Sequence, residues 1–335
     1  MKKIIVSLSV LLALCKIGTA QDLTFSQFYE APLLRNPALA GIFNGDIRIK
    51  GNYRSQWGSI SVPYQTSAFS AEYKIPLNNA VGDWITFGTQ ITNDVAGSIK
   101  LKKTAILPVI SFNKSLSQEN DSYLSIAFMG GPVSTQFNPT KFLTNTDYSM
   151  DPTLANNSGY TYWDVGAGVT YSSNYGDDIR YYFGAAMYHI NNPKLNFGSA
   201  NSEFSVLGRK LVLNGGIAVQ TSDNNKLTGY VDYFKQDGNE QFLGGMLYGV
   251  ELNKRYEDEK TLGVNFGAFF RWQDAIIPTI NFDIYDLNIG LSYDVNISRL
   301  ATYTQSRGGM ELSATYRAKL NRRTAGGDAV RCPGF

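Results

Sequence analysis

The sequence predicts an all-β fold: a transmembrane antiparallel β-barrel of about 14 strands with a short N-terminal plug or periplasmic segment. Three observations predict it. Apolar and polar residues alternate with period two in many short stretches, an export signal opens the chain, and no later apolar run is long enough for a membrane helix.

The export signal is read first. Lys2 and Lys3 precede an apolar run from Ile4 to Leu14, and the small residues Gly18, Thr19 and Ala20 come before Gln21. Residues 1–20 therefore read as a secretory signal peptide cleaved after Ala20. Cys15 is a poor lipid acceptor, because Leu14 stands where a small residue is needed. Removal of the signal leaves Cys332 as the one cysteine, so no intrachain disulfide is expected. Charged residues make up 17% of the chain, against roughly 25% in an average protein, so much of the surface avoids charge. The 19 Phe, 21 Tyr and 32 Gly favour many strands over helices. A net charge of +2 gives no reason to expect nucleic acid or acidic substrates.

The strands follow from the alternation. In GVNFGAFFRW, Leu262, Val264, Phe266, Ala268 and Phe270 share one face; Gly263, Asn265, Gly267 and Arg271 share the other, with Phe269 as an exception. A soluble sheet would cover the apolar face with protein, whereas a membrane barrel turns it to lipid and the small and polar face to the lumen. DLNIGLSYDVN and GMELSATYRAKL repeat the pattern, and their polar halves would be costly in a dry apolar core. Strand starts fall near Gly45, Gln65, Gly82, Ile99, Ser122, Tyr162, Ile179, Leu207, Lys226, Glu240, Thr261, Ala275, Asp286 and Gly309. The total is even, as single-chain bacterial barrels require. Asn, Asp and Gly clusters such as SSNYGDD, QTSDNNK and KQDGNE mark the turns. Pro108 and Pro278 lie inside strand-like runs and predict a bulge or a locally broken ladder. The longer connections, Gln136–Tyr160 and Asn191–Val206, are expected outside the cell. Residues 45–320 thus form one barrel domain, flanked by an N-terminal plug or periplasmic segment at 21–44 and a tail at 321–335. An even strand number places both flanking segments on the periplasmic side.

Catalytic chemistry has little to work with. His189 is the single histidine and sits at a strand end, where a polar residue at the membrane–water boundary is the default reading. No nucleophile-elbow, Walker or Rossmann pattern occurs, so no catalytic, cofactor-binding or metal residue is assigned. One histidine and one cysteine leave only carboxylates for a metal, and Asp177–Asp178 and the EDEK stretch from Glu257 read as solvated turns.

More specific motifs stand in order along the chain: FSQFYEAPLLRNPALAG (Phe25–Gly41), YRSQW (Tyr53–Trp57), HINNP (His189–Pro193), FFRWQDAIIP (Phe269–Pro278), YDVNISRL (Tyr293–Leu300), GGMELSATY (Gly308–Tyr316) and the terminal RCPGF. Together they resemble the PorP/SprF family of outer-membrane proteins of the Bacteroidetes type IX secretion system, over essentially the whole mature chain. Gly334 departs from the larger or basic residue expected there. The resemblance implies an outer-membrane barrel in a Gram-negative bacterium, embedded in outer-membrane lipid. It also implies partnership with periplasmic ring and peptidoglycan-binding lipoprotein components. The implied role is secretion or surface attachment of cargo with a C-terminal sorting domain, gliding adhesins among them.

The motif residues carry their own readings. Asn36 and Pro37 suit the cap and first turn of a short helix, and Phe25, Phe28 and Tyr29 would hold that segment in or under the barrel. The segment reads as a structural plug or a partner contact. Arg54 and Trp57 end the first strand, where Trp is expected to anchor in the interface. Arg271 with Asp274 reads as a rim ion pair, and Asp294, Glu311 and Arg317 as charges bracing the lumen. Arg322, Arg323 and Arg331 oppose only the Asp328 side chain, an excess that would steer an acidic partner, or else the tail is a solvated end. The expected function is a non-enzymatic docking component. A small-solute porin and a membrane-embedded hydrolase using His189 are the alternatives.

Overall fold

The computed structural model describes residues 22–58, 62–78, 82–97, 100–137, 159–195, 205–253, 262–298 and 301–320. The signal peptide, the EDEK stretch and the tail with Arg322, Arg323 and Arg331 lie outside the described residues. The strands are β1 (Ile47–Gln56), β2 (Tyr64–Asn78), β3 (Asp83–Ala96), β4 (Leu101–Ser117), β5 (Ser122–Gln136), β6 (Gly159–Tyr175), β7 (Ile179–Tyr188) and β8 (Lys194–Leu195). They continue with β9 (Ser205–Val206), β10 (Lys210–Ser222), β11 (Asn225–Gln236), β12 (Asn239–Asn253), β13 (Leu262–Arg271), β14 (Ala275–Ile284), β15 (Leu287–Asn296) and β16 (Arg307–Ala318). Among the described residues, fourteen of them form one closed antiparallel barrel, in which β1 pairs with both β2 and β16. Each barrel strand starts within three residues of its expected position. The short β8–β9 hairpin, inside the Asn191–Val206 connection, was not anticipated.

The alternation sorts side chains as lipid on one side and a polar lumen on the other require. On β16, Met310, Leu312 and Tyr316 are exposed on the outer face, while Glu311, Ser313 and Thr315 are buried within. On β15, Asn288, Gly290 and Ser292 face inward, alternating with Leu287, Ile289 and Leu291. Arginine at Ile289, if this position lies near the bilayer midplane, is expected to destabilise the barrel by roughly 2–4 kcal/mol in a vesicle-refolding titration. An arginine at inward Ser292 would be milder only if the lumen had free space there. Ser292 is 5% exposed and its register partner is Glu311, so that condition is not met and Ser292→Ala becomes the mild control.

The prolines break the ladder locally. Pairing of β4 with β5 jumps from Ala105↔Val133 to Val109↔Met129 around Pro108, and that of β14 with β15 jumps from Ile276↔Val295 to Thr279↔Ser292 around Pro278. Each proline still pairs on its other side, with Thr89 and Ala268. A residue without N–H can serve a ladder on one flank only.

Of the two readings of residues 21–44, the described residues 22–44 form the plug, and the expectation that they stay on the side where β1 begins is corrected. Asp22 reaches Lys103, Lys210 and Gln236, at the rim where β4 and β10 begin and β11 ends, and the segment leaves the lumen at the opposite rim, where Asp46 N–H donates to Ala318 O. Strand parity fixes where β1 starts but not the path of the residues before it. Phe25, Phe28, Leu33 and Phe43 are at most 2% exposed, and the lumen supplies the burial they need.

Candidate functional site: the plugged lumen

The plug is held at successive heights. At the far rim the Asp22 carboxylate lies 3.4 Å from Lys103 Nζ, 3.3 Å from Lys210 Nζ and 3.5 Å from His189 Nε2. His189 Nδ1 meets Asp164 at 2.9 Å, so both imidazole nitrogens face carboxylates, and among the described residues no serine bonds to Nε2. Burial acts against the Asp22 anion, yet Lys210 and Lys103 hold its carboxyl well below its ordinary 3.8. Burial likewise lowers the His189 pKa, but Asp164 and Asp22 outweigh it and push it up to about 9. A base whose pKa rises on folding stabilises most below its unfolded value of about 6.5 and loses that stabilisation as pH passes the folded value. Raising the pH from 6.5 through about 9 should therefore loosen this rim, whereas His189→Gln should flatten the dependence. Spin-label mobility at Thr24 reads it directly.

One step deeper, Glu311 accepts the backbone N–H groups of Ser26 at 2.5 Å and Gln27 at 2.7 Å. Arg54 ties Glu311 at 3.0 Å to Asp294 at 2.8 Å, and also donates to Thr24 O. Arg271 meets Asp294 at 3.1 Å, Asp274 at 2.8 Å and the Ser26 hydroxyl. Two inward strand positions thus become a clamp on the plug backbone, where charge-assisted bonds are strong. Trp57, beyond the end of β1, packs edge-on to Tyr64 at 4.9 Å.

The middle of the plug is aromatic, then charged. Phe269 breaks the alternation of β13 because it turns inward, edge-on to Phe28 at 5.5 Å and stacked on Tyr29 at 4.9 Å. Tyr29 also stacks on Tyr230 at 4.9 Å, with its hydroxyl accepting from Asn281. Glu30 pairs with Lys50 at 2.6 Å and accepts from Thr315. Arg35 grips Asp232 with two nitrogens, Nε at 2.7 Å, and donates to the Tyr182 hydroxyl at 2.8 Å. Asn36 Oδ1 accepts Ala38 N–H and so caps the 3₁₀ turn Pro37–Leu39, while its amide donates to Val169 O, Thr170 and Asn214. Gly168 and Gly184 make this approach possible, since a Cβ there would stand 2.0 and 2.6 Å from the Asn36 amide. Near the exit, Glu72 accepts Gly41 N–H and pairs with both Arg48 Nε at 2.8 Å and Arg48 Nη2 at 2.9 Å.

The structure brings Phe25, Phe28, Tyr29, Asn36 and Pro37 together inside the barrel, and joins Arg54, Arg271, Asp274, Asp294 and Glu311 in one network. Arg317 does not join it: it forms no ion pair among the described residues. Sequence reading missed Asp22, Glu30, Arg35, Lys50, Glu72 and Asp232. Their partners lie up to 285 positions away, as for Glu30 and Thr315, though inward charges at Arg48, Lys50 and Arg54 were visible on one face of β1. Below the plug a vestibule of about 160 Å³ opens at the rim carrying the β1 start and the β16 end. Arg317, Lys226 and the exposed Asp177–Asp178 turn line it, with Tyr29, Glu30 and Arg35 as part of its floor.

The family described as the type IX secretion system membrane protein PorP/SprF matches residues 17–316. The chain belongs to this family. PorP/SprF membership and the closed barrel place it in the outer membrane, as a membrane component of type IX secretion. No curated protein matches the chain. Among solved structures, the Pseudomonas putida toluene transporter TodX is 10% identical with a TM-score of 0.48, over 88% of this chain and 95% of that one. The monoaromatic hydrocarbon channel CymD is 13% identical with a TM-score of 0.45, over 91% and 96%. The translocator domain of the autotransporter NalP from Neisseria meningitidis is 12% identical with a TM-score of 0.44, over 87% and 95%.

Proposed function

We propose that this PorP/SprF barrel is a closed, non-enzymatic docking component of the type IX apparatus. It supports secretion or surface attachment of cargo with C-terminal sorting domains, and it works with periplasmic ring and lipoprotein partners. The observation that carries this reading is the plug, which threads the lumen from rim to rim and is pinned by ion pairs at Asp22, Glu30 and Arg35. A small-solute porin needs an open bore, and a hydrolase needs a nucleophile where His189 instead meets Asp22 and Asp164. The test is affinity purification of the full chain from native membranes. Recovery of periplasmic type IX components supports the docking reading; recovery of the barrel alone counts against it. Removal of residues 321–335 should leave a heat-modifiable barrel and weaken that recovery, through loss of Arg322, Arg323 and Arg331.

A further inference from the structure

Arg317, on β16, stands directly opposite Arg48 on β1, with Lys50 two positions further along the same inward face. Like charges directly opposite each other in a sheet are destabilising. Glu72 takes Arg48 and Glu30 takes Lys50, so three clustered cations share two carboxylates; Arg317 makes no ion pair among the described residues, and Asp283 and the Asp177–Asp178 turn also line the vestibule. The buried Arg317 Nε has no hydrogen-bond partner among the described residues, and the residue lines the vestibule. Along the same wall, Asn281 and Asn288 are 2% and 7% exposed, and the Oδ1 of each is likewise unpartnered. Unpaired buried polar groups of both kinds, donor and acceptor, ask for an occupant with acceptors and donors of its own. A bare anion answers only the arginine. An extended peptide presents N–H and C=O in alternation, and an acidic side chain on it supplies the missing charge. The vestibule has about 160 Å³ of free space, room for an acidic side chain, and it opens to solvent, where the rest of such a peptide would lie.

We propose that this vestibule binds an extended acidic peptide segment of a partner protein, its carboxylate completing the Arg48–Lys50–Arg317 cluster. The proposal rests on the docking reading and names the partner chemistry that one face of the barrel selects. The test is fluorescence anisotropy of the detergent-purified full chain with a labelled, acetylated nonapeptide alternating Glu and Ser. Peptides carrying Gln or Lys in place of Glu are the comparison. The Glu peptide should bind about tenfold or more tightly than either, since a hydrogen-bonded charge is worth roughly 1.5–3 kcal/mol. Arg317→Gln should abolish most of that preference, Arg317→Lys should keep part of it, and Asn288→Ala should weaken the Glu and Gln peptides alike. Equal binding of the three peptides, no binding, or a preference untouched by Arg317→Gln would overturn the proposal. Full displacement by millimolar inorganic phosphate would make the site one for small anions, and displacement by a neutral N-acetylglucosamine tetramer would make it one for sugars; either result overturns it. If Arg317→Gln fails to fold, the wild-type peptide series and Arg317→Lys decide. Co-purification of periplasmic partners with a folded Arg317→Gln barrel would leave docking in place and remove it from this vestibule.

Discussion

Replacing Arg35 by alanine is expected to destabilise the folded barrel by about 3–5 kcal/mol, the cost of stranding one member of a buried ion pair. Asp232, the group left behind, is 0% exposed and takes both of its short contacts from Arg35. The Tyr182 hydroxyl loses its donor at the same time, and Phe28 loses a guanidinium 5.0 Å from its ring centre. Water cannot easily make up the loss in the packed middle of the lumen. The Arg35→Met, Asp232→Leu double variant should recover much of the stability, because two apolar side chains of similar size leave no buried charge unmet. Urea-induced unfolding in lipid vesicles measures both. A single variant as stable as the parent would show that the pair does not hold the plug.

Glu311→Ala should act at the other end of the plug, with a comparable loss. The carboxylate collects two plug N–H groups and one arginine, so its removal unpairs Ser26 and Gln27 and leaves Arg54 with Asp294 as its one carboxylate partner. Hydrogen bonds to a charged group contribute roughly 1.5–3 kcal/mol each and do not simply add within one network. Glu311→Gln keeps the shape and one acceptor, so it should fall between the parent and the alanine variant. Hydrogen exchange at the Ser26 and Gln27 amides localises the effect, which should be faster exchange there before any global unfolding. Protection unchanged in Glu311→Ala would mean that other contacts fix this stretch.

How much of this was legible beforehand follows from the range of the forces involved. The strands were legible because period-two alternation is local and a lipid-facing barrel imposes it on every strand. Phe269 stood out in β13 as an unexplained break, and its explanation, the Phe28 and Tyr29 rings, lies some 240 positions earlier in the chain. Asn36 and Pro37 announced a capped turn through their own backbone preferences, whereas Asn36 reaching Thr170 and Asn214 depends on where the barrel brings β6 and β10. The Arg271–Asp274 contact spans three positions and was readable; the further bond from Arg271 to Asp294 needs the closed sheet. A plug was one of the two readings of the N-terminal segment, but its path from rim to rim was not legible. Nothing local distinguishes an apolar segment below a barrel from one drawn through it, and the charges that decide between them sit on strands all around the barrel, from Lys50 on β1 to Glu311 on β16.

The central claim is that the plug closes the lumen, and single-channel recording in planar bilayers tests it most directly. The full chain should be electrically silent at moderate voltage, while the chain lacking residues 22–40 should give steady open steps once inserted. Steady open steps from the full chain, like those of the truncated one, would contradict the claim and return the protein to the class of solute pores.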